Sequence, residues 1–174
     1  SEFMFQEGQH VIYERTGVCR ITGILPASQV PGAQKQTQYY QLTPVFGHGL
    51  IYIPVDTAVF MRPILTRQQA LALIHKLPTA PRTVCTASDS RTLMQQYRSI
   101  LHSNDCDQLI SLIKMIYEKK HLLEERGRHA SQTDLAFFRK AQSLLYEELA
   151  VALEIPLSTV PSFIDQQLAP ISAE

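Results

Sequence analysis

The chain has 174 residues, 45% of them apolar and 18% charged, enough to bury a sizeable core and too apolar for a disordered tail. Sixteen Lys and Arg side chains balance sixteen Asp and Glu, four of each sign through Arg62 and twelve of each beyond it. With no bulk positive field to attract nucleic acid, any such affinity has to come from local segregation of charge.

Cys19, Cys85 and Cys106 are odd in number and widely spaced, with no CxxC pair and no Cys/His spacing. That pattern argues against zinc and against a disulfide framework, and predicts free thiols in a reducing compartment. No apolar run approaches the roughly twenty residues a membrane helix needs. Ser1-Glu2-Phe3 reads as a cloning scar before a native start at Met4, with no signal peptide following, so a cytoplasmic protein is expected.

Residues 4–62 read as short β segments punctuated by turns. Gln9 to Tyr13 is a strand ended by Glu14-Arg15-Thr16 and Gly17. Val18 to Ile24 alternates with period two, Cys19 and Ile21 on one face and Arg20 and Thr22 on the other. Two prolines and Gly32 make 26–36 a loop. Thr37 to Leu42 carries the strand-favouring pair Tyr39 and Tyr40. Gly47 and Gly49 mark the next turn, and Leu50 to Ile53 is the most apolar strand, stopped at Pro54, which lacks a ladder donor. Ala58 to Met61 is a candidate fifth strand. Strands this short and this close predict a small SH3-like or Tudor-like β-barrel. If Ile51 and Ile53 point inward, Leu50 and Tyr52 stand outward beside a strand edge. Either a helix of the second half covers them, or they form a docking edge for another protein's strand.

From Pro63 the periodicity becomes helical, so the chain reads as α+β, a barrel at 4–62 and an all-α bundle at 63–174. Thr66 with Gln69 forms a capping box for a helix through Lys76. Ser88 or Asp89 caps a helix to about His102, and Ser103-Asn104-Asp105 breaks it and caps the next. Leu109, Ile110, Leu112, Ile113, Ile116 and Tyr117 make the core-facing stripe of that long helix, which stops at Gly127. Ser131 with Asp134 opens another, with Leu135, Phe138, Leu145 and Leu149 on its apolar face. Pro156 closes it, and Val160 to Leu168 is a short final helix.

No catalytic constellation emerges. The histidines are scattered, and there is no GxSxG, P-loop or GxGxxG. Glu124-Glu125 and Glu147-Glu148 are adjacent pairs that point to different helix faces, poor acid/base partners. A non-enzyme without cofactor or small-molecule substrate is expected. Lys114, Lys119 and Lys120, Arg126 and Arg128, and Arg139 and Lys140 fall on or near two neighbouring helices and could form a phosphate-contacting stripe. Glu118, Glu124 and Glu125 pair some of that charge, so ordinary solvated helix surface is the competing reading.

The segments MFQEGQHVIYERTGVCRITGI, QYYQL and IYIPVDTA, with Ser103-Asn104-Asp105 and the run KAQSLLYEELAVAL from Lys140 to Leu153, occur in the order found in one family. The chain resembles the CarD/CdnL family of bacterial transcription regulators. The resemblance implies a Tudor-like RNA polymerase interaction domain that docks on the polymerase β subunit through a strand edge. It also implies a helical domain at the upstream fork of promoter DNA, stabilising the open complex. Taken with the strand-edge reading, the expected polymerase contacts are Leu50, Ile51, Tyr52, Ile53, Pro54 and Ala27, and the expected DNA contacts are Ser90, Arg91, Arg98, Lys114, Lys119 and Lys140. The chain departs from some members at several places, among them Thr92 and Leu93 where basic residues are common and a longer stretch between Lys120 and Ser131. Ala27 and Tyr52 stand where those members carry polymerase-contacting arginines. Ser90 stands where a tryptophan wedges against the opened base step. Two other readings are a polymerase-bound adaptor whose helical half engages protein, and an RNA-binding SH3-like module, which the few basic residues of the barrel half disfavour.

Overall fold

The computed structural model describes residues 4–56, 61–82 and 89–170, and the chain divides into two units, Ser1–Ile64 and Leu65–Glu174. The cysteine at 85, the alternative cap Ser88, the first three residues and most of the expected fifth strand lie outside the described residues.

Among the described residues the first unit is one antiparallel sheet of five strands, β1 (His10–Tyr13), β2 (Gly17–Pro26), β3 (Gln38–Pro44), β4 (Ile51–Pro54) and β5 (Met61–Pro63), in the order β4-β3-β2-β1-β5. Between β1 and β2 the chain makes a 3₁₀ turn, Glu14–Thr16, and Gly17 at φ 84° starts the return, a left-handed geometry a side chain would resist. Along β2, Cys19 and Ile21 are buried and Arg20 is exposed. The register against β3 then shifts between Ile21 and Gly23, a bulge that adds one residue and bends the strand.

One face of the sheet carries a core cluster of Phe5, Val11, Cys19, Ile21, Tyr40, Leu42 and Ile53, with Ile51, Val55 and Met61 packed against it. Because β4 and β5 both contribute side chains, the sheet curls around this cluster. The expected barrel is nonetheless not closed. Closure needs hydrogen bonds between β4 and β5, but these stand at opposite ends of the strand order, and β5 is only three residues, spent on β1.

Among the described residues the second unit holds five helices, α1 (Arg67–Lys76), α2 (Ser90–Ser103), α3 (Cys106–Glu125), α4 (Gln132–Leu153) and α5 (Val160–Leu168). Their starts follow capping chemistry. Thr66 and Gln69 form the reciprocal box on α1, while the side chains of Asp89, Asp105 and Ser131 accept first-turn amides of α2, α3 and α4. α2 ends on Asn104 at φ 52°, and Gly127 at φ 71° follows the end of α3. Tyr97, Leu101, Leu109, Leu112, Ile116, Ala141 and Leu144 form one core where α2, α3 and α4 meet. Tyr117 does not belong to it. It is 53% exposed and rests edge-on against the His121 ring one turn along, because the stripe rotates away from the core at this point of α3.

Candidate functional site

Backbone directions define the rim of β4. The Val55 N–H donates to the Gln38 carbonyl at 2.9 Å, so Val55, Ile53 and Ile51 turn their backbone groups toward β3. Tyr52 and Pro54 turn theirs away. Pro54 tolerates its place in the strand for this reason: its missing donor falls on the side with no partner. Among the described residues no strand pairs with this side, which offers the N–H and carbonyl of Tyr52 and the carbonyl of Pro54.

Side chains alternate in the other direction. Ile53 is buried in the core and Ile51 is half-buried against it. Tyr52 lies on the opposite face, across from Gln41. Next to Gln41 that face is polar, since the Gln41 Nε2 donates to Thr22 Oγ1 at 2.9 Å and the hydroxyls of Thr22 and Thr43 meet at 3.1 Å, while Tyr39 on the same face is buried. Leu50, 53% exposed, precedes the strand at the end of the β3–β4 turn. Ala27 sits in a 3₁₀ turn after β2 and, with Ser28, Gln36, Thr37 and Val55, lines an open concavity of about 500 Å³ just past Pro54. The six expected docking residues therefore fall along one rim and at its far end.

The rim is uncharged. Between Lys35 and Asp56 the sequence has no Asp, Glu, Lys or Arg, and those two side chains lie 3.9 Å apart, both well exposed. Natural sheets commonly guard an open edge with charge or by shortening it. The other edge is guarded so: β5 is three residues with Arg62 in the middle and Pro63 at its end. The β4 edge has only the proline.

Residues 5–65, which hold this sheet, match the family described as the CarD-like/TRCF RID domain. The first unit is a CarD-like/TRCF RID domain. No curated protein matches the chain closely.

Beyond the RID domain, the six residues expected at DNA divide into two groups. Ser90, Arg91, Arg98 and Lys140 are exposed. Arg98 lines a wide, open concavity of about 550 Å³ along α2 with Gln95, Ser99 and His102. Lys114 and Lys119 are engaged within the unit. The Lys114 ammonium donates to the carbonyls of Leu77, Pro78 and Ala80 at 2.9, 3.3 and 2.7 Å, three donors on three acceptors. Lys119 lies 2.8 Å from Oδ2 of Asp134, a carboxylate buried in the bundle. Nearby, Arg82 pairs with Glu118 and Lys120 with Glu124.

At the start of α2 the Asp89 carboxylate accepts the Thr92 N–H at 2.8 Å, and this amide contact holds it below the usual carboxylate range. A fixed negative charge therefore stands beside Ser90, where an anionic backbone would have to approach.

Sequence reading missed the buried polar groups. Tyr97 and Asp134 are hydrogen-bonded inside the bundle, and Glu148 accepts the Leu65 N–H at 2.9 Å and the Cys106 thiol at 3.4 Å. Of the two adjacent glutamates, Glu147 faces Ser143 instead, and burial raises its carboxyl pKa. No cluster of His, Cys, Asp and Glu suited to a metal exists among the described residues, nor any helix long and apolar enough to cross a membrane.

Proposed function

We propose that this chain is a transcription regulator that docks on the β subunit of RNA polymerase through the β4 rim of its RID domain and carries its helical unit to promoter DNA, where it modulates open-complex stability. The RID match supports the partner, because the domain serves polymerase β interaction in its family. The observation that carries the reading is the unpaired, uncharged outer side of β4, with Tyr52 as the residue whose backbone offers both donor and acceptor. On this reading the chain acts through interaction and not through catalysis.

Co-purification with core polymerase, with and without fork DNA, tests it. Tyr52→Glu places a charge on the rim and should weaken capture of the β subunit while leaving the thermal transition of the chain unchanged. Unaltered capture by a folded variant would remove Tyr52 from the interface.

A specific observation favours a second reading for the helical unit, that of an adaptor engaging protein instead of DNA. The ammonium groups of Lys114 and Lys119 have partners inside the unit, and Asp89 flanks Ser90. Phosphate contacts make binding fall steeply with salt. A polymerase-bound chain whose fork-DNA affinity is flat with salt, or absent, supports the adaptor.

A further inference from the structure

We propose that the docking surface does not end at β4 but continues onto the β3–β4 turn, whose Phe46 and Leu50 enter an apolar hollow beside the polymerase segment that pairs with the rim. This rests on the reading of β4 as the docking edge.

The turn concentrates exposed apolar surface. Val45, Phe46 and Leu50 are 39%, 43% and 53% exposed, and all three lie within one turn. Isolated exposed apolar residues need no explanation, but three within six residues of one turn, next to the proposed docking edge, mark a candidate interaction surface.

The turn is also built to hold its shape. The Val45 N–H donates to the Val18 carbonyl at 3.0 Å, which ties the start of the turn to β2. At Gly47 the backbone passes so close to Pro44 that an added Cβ would meet the proline Cβ at 3.3 Å, and Gly49 adopts φ 89°. Phe46 is therefore presented by an anchored turn, which lowers the entropy lost when a partner receives it.

The occupant follows from charge and continuity. Leu50 leads directly into Ile51 and Tyr52, so whatever pairs with β4 passes the turn. The whole hairpin from Gln36 to Val55 has no Asp, Glu, Lys or Arg with which to form ion pairs. The matching partner surface is a strand followed by an apolar depression, and its binding depends little on salt.

The test uses the full chain and isolated polymerase β subunit, with affinity measured at about 0.1 and 0.5 M salt. Native affinity should change less than about threefold between these conditions. Phe46→Ser and Leu50→Ser should each weaken binding about tenfold or more, while Phe46→Leu, still apolar, stays near native. Tyr52→Pro removes the outward donor of the rim without touching the β3 ladder and serves as the control for edge docking. If Tyr52→Pro weakens binding and both serine variants bind as native, the turn is not part of the interface and the inference is overturned while the edge reading stands. If the native chain does not bind, or Tyr52→Pro has no effect, the edge reading itself fails. A steep loss of native affinity with salt, or an effect of Phe46→Ser on self-association alone, also overturns the inference. Far-UV circular dichroism and thermal melting confirm that each variant is folded.

Discussion

The Tyr97 hydroxyl donates to Asp134 Oδ1 at 2.8 Å across 37 residues of sequence, with both side chains buried, and Lys119 neutralises the other oxygen. Three helices thereby share one charge. Asp134→Ala should lower unfolding free energy by about 2 kcal/mol, because it strands the buried Tyr97 hydroxyl, while the half-exposed Lys119 ammonium can turn to water. Tyr97→Phe should cost about 1–2 kcal/mol, since the carboxylate keeps Lys119. Urea unfolding followed by circular dichroism measures both, and equal midpoints for native chain and Asp134→Ala would refute the assignment.

Lys114→Ala separates a structural role from a DNA-contacting one. The substitution removes the ammonium from three carbonyls, of which that of Leu77 keeps the Ala80 N–H at 3.4 Å, and should destabilise the chain by about 1 kcal/mol, the site being only partly buried. If the role is internal, the slope of fork-DNA affinity against salt stays as in the native chain; a slope reduced by about one would return Lys114 to the phosphate contacts.

His10 gives the chain a dependence on mild acid. Burial, and then the Arg20 charge across the strand pair, hold its pKa below the ordinary 6.5. The folded state therefore binds fewer protons than the unfolded state once unfolded His10 begins to titrate. The associated stability is present above pH 6.5 and is lost as the pH falls below it. Melting temperatures measured between pH 7.5 and 5 should decline less in His10→Gln than in the native chain. Parallel curves would exclude His10 as the source.

Cys19 should resist thiol reagents. Burial pushes its pKa up to about 11, so at pH 8 almost no thiolate forms. Peptide mapping after iodoacetamide treatment should find Cys19 unmodified in the native chain and labelled after urea. Because the folded thiol binds its proton more tightly than the unfolded one, stability falls as pH rises from 9 toward about 11. Rapid native-state labelling at pH 8 would contradict the burial.

Local chemistry was legible in the sequence where one residue determines the outcome. Thr66 with Gln69, Asp89, Asp105 and Ser131 each mark a helix start, because a cap needs only its own first turn. The alternation of Cys19, Arg20 and Ile21 gave the strand and its faces. Closure of the sheet was not legible, since short strands and turn glycines are equally compatible with a barrel and with an open sheet, and the pairing of β5 with β1 is a long-range choice. Tyr117 misled because helical periodicity places a residue on a stripe without saying where the neighbouring helix ends. The engaged lysines escaped for a similar reason. The carbonyls that hold Lys114 lie 34 to 37 residues before it, and nothing near Lys119 announces a buried carboxylate on α4. At the β4 rim the sequence showed the apolar run, but the direction of each backbone group depends on the register with β3.

Pro54 also bears on self-association of the rim. A bare, uncharged strand rim invites copies of itself to stack into fibrils, which require every rung of a continuous ladder to be filled. With its donor missing at Pro54, β4 breaks that ladder after Tyr52. The rim can accept one short visiting strand but gives a growing fibre no uninterrupted template.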